Sequence, residues 1–473
     1  MLHLNTKNFM SIYGNSPVLN LPVDRSIHSP YSKSNLFYIG ILIGAMVVPK
    51  IRLTSDYTFG LDDFLSIGLF FHVIMYSINI RDRYFKNISK FFWIIIITGF
   101  LSHIFGNFVY LSSFHIPGEM IQYIKRFVFF VLAYKLTLRI EDRGETDKIL
   151  KMMTYVYAFA LVVGLLQMLG VSEFAHLYSR SEKQVRVALR AGSDFKMIGT
   201  AGMTTSWGVL CAYFYTFFVS MIMVYNKKRN YLHWLLMLVS ILFALNTVSR
   251  SAYLSVLFVT LYLLMIYMFS RYQIDAGWKK PDGFMKFLRV VTVTPIFVMI
   301  VLILVGDAKI GDIFYRFQNV TPGIGTQHFE QNDRYIEVSS AIATLNENPM
   351  GYVMGLGRVF SSKHTEHIEV EPVYVLSVYG FLGLILRLII LYKIYALARQ
   401  TFKTSRMKTP KLVSLIVTIA TPMYFLASIG LAFWHEQVAG TPYWIAVGVM
   451  IALRKSNSTA EFGAFHASRV ERY

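Results

Sequence analysis

Arg250 lies in the triplet Ser249-Arg250-Ser251, inside a polar break from Asn246 to Ser251 that separates two long apolar runs. A connection of only a few residues keeps its guanidinium near membrane depth, where a cation costs about 2 to 3 kcal/mol at mid-bilayer and less near the interface. Two longer polar stretches supply more cations. Val171 to Ala201 carries Arg180, Lys183, Arg186, Arg190 and Lys196, and Gly306 to Pro372 carries Lys309, Arg316, Arg334, Arg358 and Lys363. Arginine stays charged at any physiological pH and forks onto phosphate oxygens, so the chemistry open to such a set is to hold a pyrophosphate at the level of the lipid headgroups. A lipid-linked pyrophosphate fits. The bland alternatives are an Arg250 that snorkels to headgroups and loop cations that only face solvent.

The elements that must position these residues are apolar helices. Hydrophobic residues make up 55% of the chain, and windows of roughly 18 or more apolar residues recur along it. Taken as spans they give about twelve helices, near 35 to 48, 61 to 78, 91 to 112, 119 to 138, 152 to 170, 203 to 225, 231 to 248, 252 to 270, 285 to 305, 373 to 396, 412 to 431 and 439 to 453. Lys and Arg then gather in every second loop: Arg81, Arg83, Lys86 and Lys90; Lys135, Arg139, Arg143, Lys148 and Lys151; Lys227, Lys228 and Arg229; Arg271, Lys279, Lys280, Lys286 and Arg289; Arg399, Lys403, Arg406, Lys408 and Lys411. By the positive-inside rule these loops and both termini are cytoplasmic, which places Arg250 and the two long loops outside. The chain divides into a cytoplasmic segment 1–34, a bundle 35–306 with spans one to nine, a large outer loop 307–372, spans ten to twelve at 373–453 and a cytoplasmic tail 454–473.

Other classes recede. The net charge of +19 is spread over separate loops, so its ordinary partner is anionic membrane lipid and no nucleic-acid module is expected. A single cysteine, Cys211, excludes an intramolecular disulfide. The first apolar run begins too far in for a cleaved signal peptide and reads as a retained span. No phosphate-binding glycine loop and no metal-spaced His or carboxylate cluster is present, so no metal or other cofactor is expected.

Several short patterns resemble the O-antigen polymerase and ligase superfamily. They are the break Ser249-Arg250-Ser251-Ala252-Tyr253-Leu254, the stretch Asn332-Asp333-Arg334-Tyr335 followed by Asn348-Pro349-Met350-Gly351 and Gly355-Leu356-Gly357, and Tyr379-Gly380-Phe381-Leu382-Gly383 at the next span. Arg250 to Leu254 is similar to the family's RxxxL, and Gly380 and Gly383 to its GxxG. Their order, with about twelve spans and one large loop before the tenth, carries the resemblance over essentially the whole chain. It implies an all-α integral membrane protein of GT-C-like architecture in a bacterial inner membrane, with its site on the periplasmic side. The implied activity is transfer of a glycan from a polyprenyl-pyrophosphate carrier to another lipid-linked repeat unit, with a chain-length regulator protein as a possible partner. Ligases of the family carry a His before this GxxG at the position that Glu369 holds here, and their Arg in the earlier outer loop falls on Lys196, with Arg190 the nearest Arg. These departures favour a polymerase over a ligase.

The resemblance assigns roles. Arg250, Arg334, Arg190, Lys196 and Arg186 would hold the pyrophosphate, since stabilising the departing charge is the main task. The acceptor hydroxyl needs a base, for which Glu369, Glu371, His367 and His364 remain open. His364 and His367 have an ordinary alternative as solvated loop residues, Asp333 as a cation's partner, and Pro349, Gly351, Gly355 and Gly357 as turn formers. Lys125, Arg126, His435 and Glu436 are secondary candidates, Lys125 and Arg126 either binding lipid phosphate or anchoring a helix. Arg387 is expected to face the bundle interior, and Tyr374 and Tyr379 belong to an aromatic belt or stack on sugar. A lipid-linked glycan flippase is the second hypothesis, weakened by the lack of an internal repeat. The third is a metal-dependent glycosyltransferase using Asp56, Asp62 and Asp63, residues that more commonly cap a helix.

Overall fold

Inside a membrane every backbone N–H and C=O must find its partner within the protein, and long apolar runs meet that demand as helices. The computed structural model describes residues 31–52, 58–110, 118–141, 145–179, 182–189, 196–225, 231–247, 249–270, 333–357, 370–405, 407–428 and 439–454. Among them the fold is helical apart from a short antiparallel pair, β1 (Ile51–Arg52) and β2 (Thr58–Phe59). The helices are α1 (Tyr31–Gly44), α2 (Leu61–Asn79), α3 (Arg83–Val109), α4 (Gly118–Glu141), α5 (Thr146–Met168), α6 (Ser172–Tyr178), α7 (Glu182–Ala188), α8 (Thr204–Val224), α9 (Tyr231–Asn246) and α10 (Arg250–Ser270). They continue with α11 (Asp333–Glu347), α12 (Met350–Met354), α13 (Glu371–Thr404), α14 (Lys408–Ala427) and α15 (439–454).

Six of these, α2, α3, α5, α8, α13 and α14, are long and apolar enough to cross a membrane, and α9 and most of α10 are shorter apolar helices. The chain is a helical membrane protein with several spans. The expected ninth span, near 285 to 305, lies outside the described residues.

The helices differ in how far the rest of the protein covers them. The most apolar window of α8 is 94% buried by the protein itself and that of α2 only 22%, so α8 is the centre and α2 the rim. Aromatic packing fills the middle: the rings of Tyr157 and Tyr213 lie 6.1 Å apart, Tyr213 and Tyr424 6.0 Å, and Tyr424 and Tyr443 5.5 Å. Such pairs add to area burial by about 0.5 to 1.5 kcal/mol each.

Polar ties fix which helix ends meet. Tyr225, just past α8, bonds Thr409 at 3.0 Å and Asp147 at 3.1 Å, which joins the end of α8 to the starts of α14 and α5. Arg454 donates to Tyr84 and Thr401, both at 3.0 Å, gathering the end of α15, the start of α3 and the end of α13. These contacts define one end of the bundle, called here the lower end, and it is the end of the basic loops. The starts of α2, α4, α8 and α10 and the end of α14 form the upper end.

The tenth expected span holds the main departure from a straight bundle. Inside α13, Gly380 has φ 68° and ψ −177°, left-handed backbone that breaks the helix into legs 371–379 and 381–404. Glu371 and Leu391 would lie about 30 Å apart on a straight helix, yet they line the same groove, and the Glu371 N–H donates to the Ser428 carbonyl at 3.0 Å. The first leg is therefore folded back beside the second. The segment 355–357, after α12, is wedged into the bend: Leu356 N–H donates to the Ser377 carbonyl at 2.8 Å, the oxygen that Phe381 would occupy in an unbroken helix.

Candidate functional site

Two groups of charged side chains lie toward the upper end. The first is built on α8. The segment 196–201 is held by Gln167 of α5, whose side chain accepts from Gly199 N–H at 2.8 Å and donates to the Gly199 carbonyl at 3.3 Å. Gly199 has φ 50° and rests against Trp207, leaving no room for a Cβ. Next to Trp207, Gly208 lets the turn after α9 approach, for a Cβ there would meet Ala252 at 2.5 Å and the Thr247 hydroxyl at 2.6 Å. Lys196 and Arg250, both half-buried, are thus carried to the same end of α8 from separate loops. Arg250 is the first residue of α10, where its charge adds to the positive end of the helix dipole. Tyr253 ties the start of α10 back to α9 through a bond to the Leu245 carbonyl at 2.9 Å.

The second group is buried among α2, α3, α4 and α13. Arg387 is 2% exposed. Its guanidinium donates to the Gly383 carbonyl at 2.9 Å and to the Tyr123 hydroxyl, and lies 4.1 Å from the Tyr379 ring and 5.0 Å from that of Tyr123. Glu371, also 2% exposed, lines the α13–α14 groove with Arg387, Tyr424 and Ser428. The apolar wall of that groove, with Leu388 and Phe425 exposed, opens at the bundle surface. His103 meets the Tyr379 ring edge-on at 5.7 Å, and Arg126 lies 5.9 Å from the Tyr123 ring.

Lys125 is engaged by carboxylates. Its ammonium pairs with Asp63 and, at 3.4 Å, with Asp62, which also holds Lys50 at 3.2 Å. Asp63 caps α2 as well, accepting Gly60 N–H at 2.7 Å. Asp63 thus has the capping role expected of these aspartates, Asp62 does not, and Asp56 lies outside the described residues; a lipid phosphate would have to compete with both carboxylates for Lys125. Among the described residues no three His, Cys, Asp or Glu side chains come together as a metal site requires.

No protein-family model matches this chain, and no curated protein does.

The remaining expected site residues fall as follows. Arg186 is exposed on α7, and Arg334 lies in the first turn of α11, whose far end reaches α3: burial and the nearby Glu347 carboxylate push the Tyr110 phenol up from its ordinary value. The side chain of Arg334, and all of Arg190, His364, His367, Glu369, His435 and Glu436, lie outside the described residues. Tyr374 and Tyr379 are 4% and 1% exposed, and Tyr379 spends its ring on Arg387 and His103, which leaves neither face for sugar. Arg387 does face the interior. Sequence reasoning passed over Gln167 and His103; each is a polar residue within an apolar span, as Arg387 is.

Proposed function

We propose that this chain is a polymerase of surface polysaccharide, working at the outer face of a bacterial inner membrane with both termini cytoplasmic. It would transfer a glycan from a polyprenyl pyrophosphate to a sugar hydroxyl of another lipid-linked repeat unit, without a metal or other cofactor. The observation that carries the reading is the convergence of Lys196 and Arg250 at the upper end of α8, opposite the basic loops. Arg250 and the start of α10 both present positive charge there, and a lipid-linked pyrophosphate is an anion that such a setting suits.

In the reaction the acceptor oxygen bonds the anomeric carbon as the bond from that carbon to the pyrophosphate oxygen breaks. The pyrophosphate leaves on its lipid with the bonding electrons, and Arg250 and Lys196, with Arg334, Arg190 and Arg186 from the loops, hold the developing charge. The acceptor's proton passes to Glu371 and from there to water. Glu371 is the candidate base that falls among the described residues, and its placement supports the role: a carboxylate in a groove with apolar walls, as a lipid-anchored sugar requires. A positioned base contributes about 10²- to 10⁴-fold.

The test is a glycan profile on a gel from cells carrying Arg250→Ala in place of the wild-type chain. We expect single-repeat product with the protein still in the membrane, and normal chain lengths would sink the proposal. Polymer left on its carrier lipid would instead indicate a ligase.

A further inference from the structure

Arg387 is an expensive residue. A guanidinium in the interior of a span must be compensated, and a buried cation without a task is more cheaply replaced by an apolar side chain. Its environment does more than neutralise it. The Gly383 carbonyl and the Tyr123 hydroxyl accept two of its N–H groups, and the Tyr123 and Tyr379 rings cover it at 5.0 and 4.1 Å, so the head is fixed by α4 and by both legs of α13. The bend at Gly380 then folds Glu371 back into the groove that Arg387 lines, from sixteen residues away in the sequence. Without the bend the two would lie about 24 Å apart. One device, a left-handed glycine, thus brings a carboxylate to an immobilised cation.

We propose that Arg387 is a positioning residue for the transfer, holding the Glu371 side chain in the α13–α14 groove so that it faces the acceptor hydroxyl. This rests on the reading of Glu371 as the base. Arg387 itself touches no substrate and acts through Glu371. A cation that merely glued α4 to α13 would matter equally whether or not residue 371 is a carboxylate, and that difference can be measured.

The experiment uses membranes from cells whose own copy of the gene is deleted, with the lipid-linked oligosaccharide those membranes accumulate as substrate and radiolabelled chain growth as readout. The full chain is supplied as wild type, Glu371→Gln, Arg387→Gln, the double variant and Arg387→Lys, each normalised to its amount in the membrane. We expect Glu371→Gln to lower the initial rate by about 100-fold or more and Arg387→Gln by about 10- to 100-fold. In the double variant the rate stays within about threefold of Glu371→Gln alone, because residues that act as one unit are not additive. Arg387→Lys, which keeps the charge and loses the fork, recovers part of the rate. Losses that multiply in the double variant, or an Arg387→Gln rate equal to wild type, overturn the proposal while leaving the polymerase reading standing. Should Arg387→Gln fail to reach the membrane, the same cycle with Arg387→Lys decides. Wild-type membranes that extend no chain overturn the polymerase reading and this proposal together.

Discussion

Lys125 shows what a single residue's setting does to its meaning. In the sequence it stands with Arg126 near the start of a span, as suited to a lipid phosphate as to anchoring a helix. Its partners, Asp62 and Asp63, lie on another helix, and no spacing rule joins positions that far apart; only the packing of α2 on α4 does. Taking Lys125 away leaves the buried Asp62 with Lys50 and the partly buried Asp63 without its ion-pair partner, and removing one member of a buried ion pair costs about 3 to 5 kcal/mol. We therefore expect Lys125→Met to lower the thermal unfolding temperature in detergent markedly, and Lys125→Met combined with Asp62→Asn and Asp63→Asn to recover much of the loss. A triple variant as unstable as the single one would show that the carboxylates do not need Lys125. Arg250, by contrast, was legible at once, because the short connection that holds it is written in consecutive residues.

The bend in α13 belongs to the element scale. The glycines at 355, 357, 380 and 383 could be read from the sequence as a motif and as turn formers, and the helix could be placed to within a few residues, but the fold-back could not. It depends on Gly380, Gly355 and Leu356 meeting across a loop, which is tertiary information. A Cβ at Gly380 would run into the Val353 carbonyl and come within 2.7 Å of Gly355 N, and the position has φ 68° besides. Left-handed backbone alone costs a residue with a side chain about 1 to 2 kcal/mol, so with the collision we expect Gly380→Ala to destabilise by about 2 to 4 kcal/mol. Gly68, within α2, has nothing within 4 Å of where its Cβ would go, and Gly68→Ala should be neutral or stabilising by up to about 1 kcal/mol. Thermal unfolding of the two variants side by side checks this, and equal behaviour would mean that the bend does not hold Glu371 in place.

At the scale of the whole molecule, hydropathy and loop charge made the helices and their alternation readable, because both follow from one physical demand, the burial of backbone in lipid. The ties of Tyr225 to Thr409 and Asp147 and of Arg454 to Tyr84 and Thr401 gather the starts and ends of six helices at the end of the basic loops, in accord with that alternation. What charge counting supplies, and geometry alone does not, is which end faces out. Cys211, the only cysteine of the sequence, is fully buried, so the native chain should be silent to a membrane-impermeant maleimide. Single cysteines then report each end: Ile51, 69% exposed beside the Lys50–Asp62 pair, at the upper end, and the exposed Lys86 at the lower. In cells whose wall has been made permeable to the reagent we expect Ile51→Cys to react at once and Lys86→Cys only after the membrane that holds the protein is opened. The upper end also carries Arg250 and Lys196, so the reverse pattern would put these cations on the cytoplasmic side. An outer-face transfer would then be impossible for this chain, whatever the chemistry of its groove.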